Sequence, residues 1–383
     1  MHVLITVNAA WNVWHFRRPV VAALLAEGCR VTVVAPPDAA SQKLADMGCD
    51  LLPLAMDAKG LNPVRDLALY RQLSAIFRQQ RPNVVLSYTI KPNVYGALAA
   101  RACGIPFIPN VSGLGTAFLS GGILRRAAEF LYRRAFSGLR AIFFQNDEDR
   151  DLFVARGLVQ ASQARLLPGS GIDLEHFAPV PLRRNAGAPV FLMIARLLRD
   201  KGVLEYVEAA RLVKSRHPAA RFQLLGATDA ANRTAIDAAT VAGWQAEGVI
   251  EYLGTTDDVR PLIAAADCVV LPSYREGAPR TLIEAAALAR PVIATDVPGC
   301  RTVVEAGVTG LLCAPRDAES LAAAMLEFCD MAPELRAAMG ADGRRKMEAE
   351  YDEALVVDAY RRAINDLVPQ ANLTTKDPAC AAS

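Results

Sequence analysis

Short apolar, β-branched runs alternate along the chain with longer segments of helical period. They are HVLITV, RVTVVAP, LLPL, NVVLSY and PFIPNV in the first part, then PVFLMIA, RFQLLGA, CVVLPS and PVIATD in the second. Runs that are apolar at nearly every position predict strands buried on both faces, and the helical stretches between them predict β-α-β units with parallel sheets. The pattern occurs twice, with no short tandem repeat, so the chain should be α/β with two doubly wound domains. Between the two series lies PGSGIDLEHFAPVPLRRNAGAP, rich in Pro and Gly and without period, which reads as a linker. The expected organisation is a first domain over 1–168, a linker over 169–188 and a second domain over 189–350, then a helix over 351–368 crossing back to brace the first domain and a disordered tail over 369–383. Ligands of open α/β sheets bind beyond the carboxyl ends of the strands, so the two domains are expected to face each other across a cleft that holds the chemistry.

Composition narrows the class. A length of 383 residues suits two cores, 52% hydrophobic and 21% charged residues exclude a disordered chain, and no apolar run nears the 18 residues of a membrane span. The opening MHVLITVNAA lacks a basic flank and reads as a strand, not as a secretion signal, which predicts a cytoplasmic protein. Eight scattered cysteines without a C-x-x-C pair predict neither a disulfide framework nor a zinc site, and no metal or cofactor is expected. The net charge of +2 hides an asymmetry: residues 1–170 hold 19 Lys and Arg against 11 Asp and Glu, the remainder 23 against 29. The basic part is expected to meet an anion or an anionic surface, with no nucleic-acid partner.

Chemistry concentrates in LPSYREGAPRTLIEAAALARPVIATDVPG, read as strand, loop and helix. Pro279 suits the first helical turn, and the amides around Gly277, Ala278, Arg280 and Thr281 form a helix start that favours a phosphate or polar oxygen. Glu276 precedes that start and Glu284 follows it, a separation of roughly 8–12 Å at helical rise. Such spacing fits the two ends of a nucleotide sugar, whose hydroxyls would satisfy both carboxylates; the plain alternative is a surface Glu276 and a Glu284 paired to a nearby arginine. In ARLLRDKGV, Arg196 ends a strand and Lys201 opens a helix, two cations placed to neutralise a diphosphate without a metal, whereas Arg199 and Asp200 should face solvent.

These stretches, with LLGATD, YLGTTDDV, VTGLLC and the linker GSGIDLEHFAP, resemble the family 4 retaining glycosyltransferases over about residues 1–365. The resemblance implies a B-type fold of two Rossmann-like domains and rests above all on the E-x7-E spacing of Glu276 and Glu284. It further implies that Glu276 contacts the transferred sugar, Glu284 the ribose, Arg196 and Lys201 the diphosphate, and the backbone near Leu253, Gly254 and Val259 a uracil. The donor would be a UDP-sugar.

The first domain carries the acceptor side. NAAWNVWHFRRPVV lacks the G-x-G-x-x-G fingerprint, which disfavours a nicotinamide cofactor. His15 is either an acceptor-side hydrogen-bonding group or a structural histidine, and Arg17 suits a phosphate. In LSYTIKPNVYG, Lys91 and Asn93 are expected to meet a phosphate and a hydroxyl; relatives commonly carry a histidine here, replaced by Leu86, Ser87 and Tyr88, so no histidine base is expected. Gly113 and Gly115 should lie in a flexible loop. A helix over about 122–137 would show an apolar arc and a basic flank, with Arg134 intruding on the apolar side, and Phe118, Leu119, Ile123, Arg125, Arg126 and Arg133 are expected to contact an anionic membrane. WHFRRP, TIKPNVYG and SGLGTAF resemble the bacterial branch that adds N-acetylgalactosamine or a related sugar to an undecaprenyl-diphosphate-linked saccharide. The expectation is a peripheral enzyme on the inner face of the plasma membrane. Its rivals are a same-fold transferase with a soluble acceptor, a nucleotide-sugar epimerase, and a non-catalytic scaffold or membrane-binding protein.

Overall fold

Side-chain alternation sends Val3 and Ile5 to one face of a sheet and Leu4 to the other, and both faces are buried. The structure is a computed structural model that describes residues 1–57, 62–113, 122–182, 188–228, 232 and 234–375. The chain divides into two units, one made of Met1–Ser170 with the segment from Glu353 onward, the other of Gly171–Asp352.

Unit 1 has seven parallel strands: β1 (His2–Thr6), β2 (Arg30–Ala35), β3 (Asp50–Pro53), β4 (Val84–Tyr88), β5 (Phe107–Val111), β6 (Ile142–Phe144) and β7 (Ala164–Leu166), in the order 3-2-1-4-5-6-7. The helices Pro63–Gln80, Ile90–Cys103 and Gly122–Phe136 cover one face, packing Leu73, Phe77, Ala97, Tyr132 and Phe136 over Leu4, Val85 and Phe144. On the other face Val21 and Leu24 join Tyr360, Ala363 and Ile364 of the last helix, Glu353–Leu367. That helix is pinned to the unit by an Arg361–Glu27 ion pair and by Asn110 Nδ2, which donates to Tyr360 OH at 3.0 Å. The tail expected to be disordered from 369 is ordered through 375. Leu373 is buried, and its backbone exchanges two hydrogen bonds with the Asn365 side chain, at 2.9 and 3.0 Å. Residues 376–383 lie outside the described residues.

Unit 2 repeats the plan with six parallel strands: β8 (Val190–Ile194), β9 (Arg221–Leu225), β10 (Glu251–Tyr252), β11 (Cys268–Leu271), β12 (Val292–Thr295) and β13 (Gly310–Cys313), in the order 10-9-8-11-12-13. Helices Val203–Arg216 and Ala318–Asp330 cover one face, and Arg280–Ala287 covers the other. The segment read as a linker is mostly part of this unit. Ile172 and Phe177 are buried in its core, Arg344 Nη1 donates to the Phe177 carbonyl at 2.7 Å, and Arg290 Nη1 donates to the Val180 carbonyl at 2.6 Å. Its lack of sequence period has a physical cause: arginine side chains grip its backbone carbonyls, so no amphipathic face is needed.

In both units the strand order reverses beside the first strand, between β1 and β4 and between β8 and β11. A crevice outside the carboxyl ends at such a reversal is where open α/β sheets bind ligands.

Candidate functional site

In unit 2 the loops leaving β8 and β11 meet at the reversal. Lys201 Nζ donates to Glu276 Oε1 at 2.5 Å, with both side chains largely shielded from water. Backbone contacts hold the two loops in register: Tyr274 N donates to the Asp200 carbonyl at 3.0 Å, and Ser273 Oγ donates to the same oxygen at 3.3 Å. Thr281 Oγ1 reaches back to the Ile194 carbonyl at 3.1 Å, and Thr295 Oγ1 donates to the Ser273 carbonyl. Tyr274 OH donates to Glu205 Oε1 at 2.6 Å while the Arg316 guanidinium sits 4.7 Å above its ring, so one tyrosine ties its loop to the helix Val203–Arg216 and to the loop after β13. Asp200, expected in solvent, is half-buried and accepts from Thr234 Oγ1 at 3.0 Å.

Backbone shape completes the loop. Gly299, at φ 80°, presses so closely that a Cβ there would lie 2.5 Å from the Gly277 carbonyl oxygen and 2.6 Å from that of Glu276. Pro279 stands at the N-cap of the helix Arg280–Ala287, one position before the first turn in which it was expected. Lacking an N–H it serves either position, and its carbonyl accepts from Leu282 N at 3.0 Å. Gly277 and Ala278 lead into this cap.

Glu284 is 9% exposed and accepts from Arg280 Nε, one turn earlier, at 2.6 Å. Burial raises its pKa above the ordinary carboxylate value, against the pull of Arg280. Arg196 is exposed and joins no ion pair among the described residues. Leu253, Gly254 and Val259 are half-buried beyond the ends of β9 and β10, where the Gly254 carbonyl accepts from Gly226 N at 2.8 Å and Val259 caps the helix Arg260–Ala265.

Unit 1 treats its four expected acceptor residues differently. His15 is half-buried and lies against Trp11, ring centroids 4.4 Å apart. Lys91 Nζ is paired to Asp66 Oδ1 at 2.9 Å, and Tyr95 OH donates to the other carboxylate oxygen at 2.9 Å. Asn93 is 1% exposed, with Nδ2 donating to the Asn110 carbonyl at 2.7 Å, and Arg17 is 5% exposed. Both side chains are thus buried in this fold, Asn93 on the inner face of its helix and Arg17 at a junction between two helices.

The helix Gly122–Phe136 is amphipathic. Tyr132, Ala135 and Phe136 point into the core; Arg126, Phe130, Arg133 and Arg134 are exposed. Arg134 thus lies on the solvent side and not on the apolar one. Arg133 donates to the Gly157 and Arg156 carbonyls at 3.1 Å each, and Arg125 faces Glu129 at 3.7 Å. Phe118, Leu119 and Gly115, and the Ile123 side chain, lie outside the described residues.

Comparison with known proteins matches the family described as glycosyl transferases group 1 at residues 188–331 and the glycosyl transferase 4-like domain at residues 13–169. The chain belongs to the group 1 glycosyltransferases. This glycosyltransferase is 27% identical over 378 residues to the N,N'-diacetylbacillosaminyl-diphospho-undecaprenol alpha-1,3-N-acetylgalactosaminyltransferase of Campylobacter jejuni, covering 94% of this chain and 97% of the relative. It is 25% identical to the UDP-Gal:alpha-D-GlcNAc-diphosphoundecaprenol alpha-1,3-galactosyltransferase of Escherichia coli, over 71% of this chain and 73% of the relative. Among solved structures it resembles Anabaena HepE in complex with UDP and glucose, with a TM-score of 0.76 at 18% identity, covering 96% of this chain and all of that one. Its fold is the B-type glycosyltransferase fold, two Rossmann-like domains.

Several residues that build this candidate site gave no separate signal. Ser273, Tyr274, Thr281 and Thr295 act through loop-to-loop hydrogen bonds between distant segments. Arg280 was the exception, since it stands four residues before Glu284 and faces it on a helix.

The buried acid gives a pH test. Glu284 titrates higher in the folded chain than its ordinary value of 4.5, so the folded state holds this proton where the unfolded state has released it. The protonated acid's advantage is present below about 4.5 and is lost as pH rises through the folded pKa. Glu284→Gln is therefore expected to unfold at a higher temperature than wild type at neutral pH, with the gap closing as pH falls below the carboxylate range. Thermal unfolding across pH measures this, and a Gln variant less stable at pH 7 contradicts it.

Proposed function

We propose that this glycosyltransferase moves a hexose or N-acetylhexosamine, best matched by N-acetylgalactosamine, from a UDP-sugar to a polyprenyl-diphosphate-linked saccharide, with retention at the anomeric carbon. The observation that carries the reading is the shielded Lys201–Glu276 pair at the β8/β11 reversal, with the exposed Arg196, which joins no ion pair among the described residues, on the loop after β8 and the buried Glu284 on the helix after β11. Each of the paired groups satisfies the other. An arriving diphosphate would draw Lys201 and Arg196 to its oxygens and release Glu276 to the sugar hydroxyls, while Glu284 takes the ribose hydroxyls. The bond from the anomeric carbon to the β-phosphate then lengthens under the stabilisation of the two cations. The acceptor oxygen bonds on the same face, and its proton leaves with the departing UDP. The carbohydrate and lipid parts of the proposal rest on likeness to the Campylobacter and E. coli enzymes, whose names carry undecaprenol diphosphate.

Incubation with a panel of UDP-sugars and short polyprenyl-diphosphate saccharides tests it. The expected outcome is one α-linked product with stoichiometric UDP. Sugar isomerisation without released UDP would identify an epimerase instead, and transfer to soluble saccharides alone would remove the lipid acceptor.

A lipid acceptor has to be met at a bilayer. No helix among the described residues is long and apolar enough to cross a membrane. The exposed stripe of Arg126, Phe130 and Arg134 on the helix Gly122–Phe136, with Phe130 63% exposed, supports peripheral docking on an anionic cytoplasmic leaflet. Since each basic residue near such a surface contributes about 1 kcal/mol, the Arg126→Glu/Phe130→Ser double variant is expected to bind phosphatidylglycerol vesicles roughly tenfold to a hundredfold more weakly. Unchanged flotation with vesicles would contradict this surface.

A further inference from the structure

Among the described residues two arginines are buried, and their surroundings differ. Arg290, 1% exposed, donates to the carbonyls of Val180, Pro181, Ala264 and Leu288. Arg17 is nearly as enclosed, at 5%, yet the only hydrogen bond of its side chain among the described residues runs from Nη1 to Ser170 Oγ at a long 3.3 Å. No carboxylate pairs with it among the described residues. Its guanidinium lies 4.5 Å over the Tyr88 ring, a contact that favours the cation without neutralising it. The Tyr88 hydroxyl is buried. The position matters too: Arg17 stands between the helices Ala10–Phe16 and Arg18–Ala26, and its contact with Tyr88, the last residue of β4, places the guanidinium at the carboxyl end of a strand that borders the strand-order reversal of unit 1. A buried cation without a counter-ion is costly, and a forked guanidinium matches two oxyanion oxygens.

We propose that Arg17 is the receptor of an oxyanion, a phosphate or diphosphate group, at the carboxyl ends of β1 and β4, and that Ser170 holds the guanidinium in its absence. The inference rests on the proposed function only for the source of that anion, which is either the diphosphate of a polyprenyl acceptor or a free inorganic anion. Ser170 is the last residue of unit 1 before the chain passes into unit 2, so anion binding exchanges a contact at that crossing for one within the site.

Calorimetry on the full-length chain saturated with UDP, which fills the diphosphate site proposed in unit 2, decides it, with inorganic pyrophosphate, a short prenyl diphosphate and the matching prenyl alcohol as probes. Wild type is expected to bind pyrophosphate, and Arg17→Met to bind it at least about tenfold more weakly, with Arg17→Lys between them. Ser170→Ala, which removes the competing hydroxyl, should bind it no more weakly than wild type. Arg17→Met should still bind UDP and, without anion, unfold at no lower a temperature than wild type, because it removes an uncompensated buried charge. Tighter binding of the prenyl diphosphate than of pyrophosphate, with none of the alcohol, assigns the anion to the lipid; equal binding assigns it to a free anion. Wild type that binds neither anion, or an Arg17→Met variant that binds them as wild type does, overturns the proposal, whatever the UDP result.

Discussion

Glu276→Ala is expected to lower turnover by about a thousandfold or more, the scale of losing a group that acts on the transition state, while UDP binds no more weakly than to wild type. The second half of that expectation comes from the Lys201–Glu276 pair. Lys201 Nζ is held by Glu276 Oε1 at 2.5 Å, so a diphosphate has to take the ammonium away from a shielded carboxylate. Removing the carboxylate leaves Lys201 free for phosphate, and the variant should keep or improve its UDP affinity while losing the group that orients the sugar. Glu276→Gln, which keeps the shape but not the charge, should fall between. Steady-state kinetics paired with UDP calorimetry separates the two effects. Turnover within about tenfold of wild type, or UDP affinity lost together with turnover, would remove Glu276 from the proposed role.

Gly202→Ala carries the largest expected stability effect. Gly202 follows Lys201 at φ 75°, and a Cβ there would stand 2.1 Å from the Pro272 carbonyl oxygen and 2.7 Å from its carbonyl carbon. Both are backbone atoms at the end of β11 and cannot swing aside, so the two loops that bring Lys201 to Glu276 would have to part. Gly248 is a matched control, also at φ 75° but with nothing within 4 Å of its Cβ position. Gly248→Ala should cost only the left-handed strain, about 1–2 kcal/mol, whereas Gly202→Ala should cost on the order of 3–5 kcal/mol in urea unfolding. Equal losses at the two positions would mean that the approach of Gly202 to Pro272 is not a structural requirement of the site.

Legibility in the sequence followed range. Strands β1 to β5, β8, β9, β11 and β12 were readable because each is a local apolar run, buried on both faces in all of them but the edge strand β3. β6 and β7 are three residues each and β6 merges into an aromatic helical stretch, while β13 was visible as GLLC without enough length to read as a strand. The spacing of Glu276 and Glu284 was legible because it is local, and so were the cations Arg196 and Lys201 at a strand end. The direct Lys201–Glu276 bond was not, since 75 residues separate its partners and only the folded sheet brings them together. Lys91 and Asn93 looked like cleft residues because they follow a strand. The Asp66 carboxylate and the inner helix face that claim them lie on elements whose packing the local pattern does not encode.

The central claim is that the carboxyl edge of the second sheet clasps a nucleotide diphosphate-sugar between Glu276 and Glu284. A crystal structure with an intact UDP-sugar, or a non-transferable analogue of it, tests this most directly. The account predicts Lys201 and Arg196 on the diphosphate, Glu276 on the sugar hydroxyls and Glu284 on the ribose. A donor bound in unit 1, or one bound with the Lys201–Glu276 pair still closed, would contradict it.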